Sequence, residues 1–169
     1  MKYVKFPVDK NGKVKLITWA ASLGGVALGL SLYTFAGFTL IPSLVFILPA
    51  AYAFCDSAHS LAITESGVEV HRPFDKLKIP FAEITNVTFI NTPDLSWCLW
   101  GSRGIFGYNG HYRTRSLGRF KVYAGIPKDV IFIETKRGKK FMLSCRDSWQ
   151  AYNLIKNHLE VGAEDCNKV

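Results

Sequence analysis

The chain has 169 residues and a formal net charge of +8. That length holds one ordinary domain, or a smaller domain with a membrane anchor. Its four cysteines, Cys55, Cys98, Cys145 and Cys166, include no C-x-x-C spacing. This argues against a disulfide framework and for free thiols in a reducing compartment. A pairing of Cys98 with Cys145 or Cys166 stays open.

The first notable element is a basic segment, residues 1–15. Lys2, Lys5, Lys10, Lys13 and Lys15 stand there against one acid, Asp9. Val4, Phe6 and Val8 alternate, which allows an extra strand. Residues 16–54 then hold no Asp, Glu, Lys, Arg or His over 39 positions. A membrane-spanning helix takes about 20 apolar residues. The stretch is too long for one straight span and suits two short ones, about 16–33 and 38–54. Gly37 permits the break, Pro42 suits a helix start, and Pro49 kinks the second helix. A cleaved signal peptide fits poorly, because the basic segment and the apolar run are both too long. Ala21, Gly25 and Gly29 form a small-residue face suited to close helix packing, within the chain or between copies. The lysines keep the N-terminus in the cytoplasm, and two spans return the following domain to the same side. The expected location is therefore the cell inner (cytoplasmic) membrane, multi-pass.

From residue 61 the pattern changes to period two. Leu61 and Ile63, then Val68 and Val70, flank Thr64-Glu65-Ser66-Gly67 and predict a hairpin. Leu77, Ile79 and Phe81 alternate next, followed by Ile84, Val87 and Phe89. Residues 117–126 read as a strand, and 130–135 with 140–145 as the clearest hairpin. A helix follows, with Asp147 as its cap and Gln150 three residues on. Trp149, Tyr152, Ile155 and Leu159 form its apolar stripe. Residues 161–169 are a polar tail. Six or seven short antiparallel strands must hide their edges, and a barrel capped by the helix does so.

The order of strands and the closing helix resemble the bacterial pleckstrin-homology (PH-like) domains. The residues carrying the resemblance are Lys78-Ile79-Pro80-Phe81-Ala82-Glu83-Ile84, Gly104-Ile105-Phe106-Gly107-Tyr108-Asn109-Gly110, and the hairpin over 130–140 leading to Arg146-Asp147. It covers about residues 60–159. It implies a PH-like, partly open antiparallel barrel capped by a helix, often tethered by membrane helices. It also implies a binding or scaffold module.

The least ordinary stretch is 97–121, read as a loop. Gly101, Gly104, Gly107 and Gly110 recur every third position. Trp97, Trp100, Phe106 and Tyr108 lie among them, and Arg103, His111, Arg113, Arg115, Arg119 and Lys121 supply charge. No acid occurs between Asp94 and Asp129. Aromatic rings favour the headgroup layer, and each base near an anionic leaflet adds about 1 kcal/mol. These ten residues are the expected contact for anionic lipid headgroups or a protein partner. The rival reading is a packed structural loop. The glycine spacing is not that of a phosphate-binding loop. A stacking platform for nucleic acid would look similar, but the anchor argues against it.

No catalytic motif is present. His59, His71, His111 and His158 show no metal-binding spacing, and no G-x-S-x-G elbow occurs. No cofactor or metal is expected. The leading expectation is a non-enzymatic, membrane-anchored PH-like module at the cytoplasmic face. Two alternatives differ in class: a structural subunit assembling through its helices or as a homo-oligomer, and an enzyme with a spatially assembled site.

Overall fold

The computed structural model describes residues 4–9, 12–36, 48, 51–104 and 106–166. Strand β1 (Val4–Pro7) precedes helix α1 (Gly12–Ala36). The second predicted span falls largely outside the described residues, although Leu48 and residues 51–55 are helical. Pro42, Pro49 and the break at Gly37 also lie outside them. Strands β2 (Ser60–Ile63), β3 (Gly67–His71) and β4 (Lys76–Pro80) follow, then a 3-10 turn (Phe81–Glu83) and β5 (Ile84–Ile90). The remaining strands are β6 (Trp97–Arg103), β7 (Tyr108–Thr114), β8 (Gly118–Ala124), β9 (Val130–Thr135) and β10 (Lys140–Leu143). Helix α2 (Ser148–Cys166) ends the described chain and extends into the polar tail as far as Cys166.

The strands form two sheets, ordered β1-β2-β3-β4 and β5-β9-β10-β8-β7-β6. The mainly-β class with a closing helix holds, but the strands outnumber the six or seven expected, and the two sheets do not close. One pair, β8 with β10, is parallel. The strands missed by sequence reading are β6 and β7, which had been taken together as a loop.

Alternation divides the larger sheet into two apolar faces. Tyr123, Ile131, Ile133, Phe141 and Leu143 point one way and meet Leu61, Ile63, Val68, Val70 and Ile79 of the smaller sheet. Tyr112, Phe120, Val122, Phe132 and Met142 point the other way, where Leu95 and Leu117 pack on them. Helix α2 covers the first face with Ala151 and Ile155, both fully buried. Trp149, expected in that stripe, is 58% exposed and stacks on Tyr152 beside Phe89. At the helix start, Ser148 Oγ accepts the Cys145 N–H at 3.1 Å and donates to the Cys145 carbonyl at 2.9 Å. Ile155→Ala is therefore expected to lower stability by about 3 kcal/mol through an unfilled cavity. Trp149→Ala should cost under about 1 kcal/mol. Thermal unfolding of the two variants checks the difference.

Cys55, Cys98 and Cys145 are free thiols. Burial pushes the Cys145 thiol up to about 11, so it stays protonated at neutral pH.

The N-terminal strand joins the domain. Val4 pairs with Ile63 and Pro7 with Ser60, and Phe6 is buried in the core. Val8 donates to the His59 carbonyl at 3.1 Å, and Arg146 donates to the Pro7 carbonyl at 2.9 Å. Both flanks of the apolar stretch thus lie side by side in one sheet.

Candidate functional site

Helix α1 is apolar on all sides, a pattern found in helices surrounded by protein or by lipid. Its segment Val14–Ser31 is long and apolar enough to cross a membrane, and only 6% of it is buried. Leu16, Trp19, Leu23, Val26 and Leu30 are exposed. Gly25 and Gly29 are half-buried, while Ala21 is exposed.

The segment 97–121 is a three-stranded meander rather than a loop. Residues directly opposite in neighbouring strands share a face. Trp97 lies opposite Arg113, and Arg113 opposite Arg119. Past an irregularity in β6, Trp100 lies opposite His111, and His111 opposite Lys121. Ser102, Asn109 and Tyr123 make the third row. The pairing therefore brings six of the ten predicted residues onto one face: Trp97, Trp100, His111, Arg113, Arg119 and Lys121. Trp97 is 70% exposed and Trp100 66%. His111, Arg113 and Arg119 are exposed as well.

The other four lie elsewhere. Arg103 and Tyr108 face each other on the opposite side of the sheet. There the Arg103 guanidinium donates to the carbonyls of Leu95 and Ser96, which ties down the connection into β6. Arg115 is exposed in the β7–β8 turn. Phe106 sits in the β6–β7 turn, with φ at 57°.

That turn touches the helices. The Phe106 N–H donates to Thr18 Oγ1 of α1 at 3.0 Å, and the Phe106 ring meets Phe54 edge-on at 5.3 Å. The Trp100 ring meets Tyr52 at 6.1 Å.

Sequence reading missed a polar cluster beneath this face. Asp56 is the first charged residue after the apolar stretch and is buried. Its Oδ1 accepts from an Arg72 guanidinium nitrogen at 2.9 Å and lies 3.6 Å from Lys121 Nζ. Arg72 also donates to Asp75 and to the Tyr123 hydroxyl, the latter at 3.5 Å. Lys121 lies over the Tyr123 ring at 5.1 Å. Burial raises the Tyr123 pKa, so the hydroxyl stays neutral. Asn109 Oδ1 accepts the Ala58 N–H at 3.4 Å. The cluster fixes the exit of the second helical segment to β3, β7 and β8. Its only sequence signal was the return of charge at Asp56.

A shallow cleft of about 330 Å³ lies at the start of α2, lined by Phe89, Asp129, Arg146 and Trp149. It is at the opposite edge of the six-stranded sheet from β6. Among the described residues, no group of three or more His, Cys, Asp and Glu is placed to hold a metal.

The family model for the bacterial PH domain matches residues 59–158, more than half of the chain. The chain belongs to the bacterial PH-domain family. The matched region begins where the helical segment ends and runs from β2 through most of α2, so β1 and α1 lie outside it. PH domains are in general non-catalytic binding modules. A binding or scaffold role for this chain follows at that level. No curated protein and no solved structure matches the chain.

Proposed function

We propose that this PH domain is a non-catalytic module anchored in the cytoplasmic membrane, which holds its β6–β7–β8 face against anionic lipid headgroups. The observation that carries the reading is the set of cross-strand rows joining two exposed tryptophans to His111, Arg113, Arg119 and Lys121. That face lies beside the helices, through Trp100 and Tyr52. A cationic surface flanked by tryptophan matches a negatively charged headgroup layer in both charge and amphipathic character.

The pairing of β1 with β2 supports a hairpin anchor. A chain that enters the bilayer after β1 must return to the same side to form β2. The lysines before α1 favour the cytoplasmic side for both. On this reading residues 1–15 and 55–160 are cytoplasmic, and 16–54 form the two-helix anchor.

The test uses the full chain in phosphatidylcholine bilayers with spin-labelled lipid tracers. The protein should retain phosphatidylglycerol over phosphatidylcholine, and added salt should weaken that preference. Changing Arg113, Arg115 and Arg119 together to Glu should lower it by about tenfold or more, since each base contributes about 1 kcal/mol. Equal retention of both lipids by the unmodified chain would sink the lipid reading and turn the same face toward a protein partner.

A further inference from the structure

We infer that the β6 edge and the β6–β7 turn are immersed in the headgroup layer, so that the domain lies on the bilayer in one fixed orientation. The inference rests on the reading of α1 as a membrane helix, and it adds an apolar contact that needs no lipid charge.

Depth follows from the contacts with the helices. Lys15 is the last charged residue before the span, and Thr18 lies three residues beyond it. At 1.5 Å per residue, the Thr18 hydroxyl that accepts the Phe106 N–H lies about 4–5 Å further in. On the other side of the hairpin, Asp56 is the first charge. Phe54, which meets Phe106, precedes it by two residues, and Tyr52, which meets Trp100, by four. Trp100 therefore reaches at least the depth of Phe106, about 6 Å inside the level of Asp56. Trp100 falls within the interfacial band, about 5–10 Å deep, that apolar side chains of surface-bound segments occupy, and Phe106 lies at its shallow boundary.

The exposed side chains fit that position. Trp97, Leu99 and Trp100 stand in one strand with large exposed surfaces, and Trp19 is exposed beside Thr18. Three of these four are tryptophans, the residue that best tolerates a boundary between lipid and water. The occupant is the bilayer that holds α1, because the apolar surface of β6 continues into that of the helix through Trp100, Phe106 and Thr18. The free edge of β6 also limits the depth. Among the described residues it is the last strand of its sheet, and unpaired backbone groups are not tolerated in hydrocarbon. At headgroup level, water and phosphate oxygens can satisfy them.

The experiment reconstitutes the full chain in neutral phosphatidylcholine carrying bromines at a shallow or a deep acyl position. Three variants each keep one tryptophan, at Trp19, Trp100 or Trp149, with the others changed to Phe. The inference predicts that Trp19 and Trp100 are both quenched, Trp100 more by shallow than by deep bromines. Trp149, at the opposite edge of the sheet, should be quenched several-fold less. Quenching of Trp19 without Trp100 overturns the inference and leaves the anchor standing. Absence of quenching at Trp19 overturns both. A spin label at position 99 provides an independent readout. Preferential collision with oxygen over an aqueous nickel chelate supports immersion, and the reverse overturns it.

Discussion

Asp56→Ala will destabilise the folded chain by about 3 kcal/mol or more. The carboxylate is buried and lies between Arg72 and Lys121. Its removal leaves the Arg72 guanidinium charge largely buried, with only the exposed Asp75 carboxylate and the Tyr123 hydroxyl as partners. Breaking a buried pair from one side typically costs about 3–5 kcal/mol. Arg72 retains some solvent access, which places the expectation at the lower end. In a chain of this size that shift lowers the melting temperature by roughly 6–12 °C. Replacing both Asp56 and Arg72 with leucine should be milder than removing Asp56 alone, because the largely buried guanidinium is then gone and the charges that remain, Lys121 and Asp75, keep access to solvent. Thermal unfolding in detergent measures all three. An unchanged melting temperature for Asp56→Ala would mean that water already screens the pair.

Gly110→Val will cost at least about 3 kcal/mol and detach β6 from β7. Gly110 and Gly101 face each other across the strands, with φ at 121° and 141°. A Cβ at Gly110 would overlap the Trp100 carbonyl, and one at Gly101 would overlap the Asn109 carbonyl. The obstruction is backbone in both directions, so no rotamer change relieves it, and the strained φ adds to the cost. Gly118 and Gly138 provide the contrast. Both have φ of 73°, yet open space surrounds their Cβ positions. Alanine at either should cost only about 1–2 kcal/mol. Thermal unfolding ranks the variants, and limited proteolysis in the β6–β7 region should reveal the detached strand in Gly110→Val alone.

This glycine pair shows why part of the site was hidden in the sequence. Glycines three apart read as a loop, because period three matches no strand. In the structure they divide the work. Gly101 and Gly110 let two strands approach closely, whereas Gly104 and Gly107 close the turn through a 3.0 Å backbone hydrogen bond. The alternation rule also failed at β6, whose apolar residues are exposed at a sheet edge. It worked in the hairpin β2–β3, whose inward residues meet the core, whereas β9 and β10, buried on both faces, were legible from their apolar runs and the polar turn between them. The alternation of Val4, Phe6 and Val8 allowed a strand. Its partner could not be read, since the apolar stretch separates them. The Asp56, Arg72 and Lys121 cluster follows the same logic. Its members come from three distant parts of the chain and share no local pattern. The basic residues were legible as a group, but only strand register sorts Arg103 onto the opposite face from Arg113 and Arg119.

Cross-strand rows, helix contacts and the N-terminal strand all bear on one central claim: the domain and the N-terminus lie on the same side of a membrane entered between them. Impermeant maleimide labelling tests this directly in right-side-out and inverted membrane vesicles. Single cysteines are placed at Lys5, Gly37 and Ser116, with the native cysteines changed to serine. Positions 5 and 116 should label from the cytoplasmic face alone, and position 37 from the opposite face alone. Labelling of 5 and 116 from opposite faces, or of 37 from the same face as both, would contradict the account.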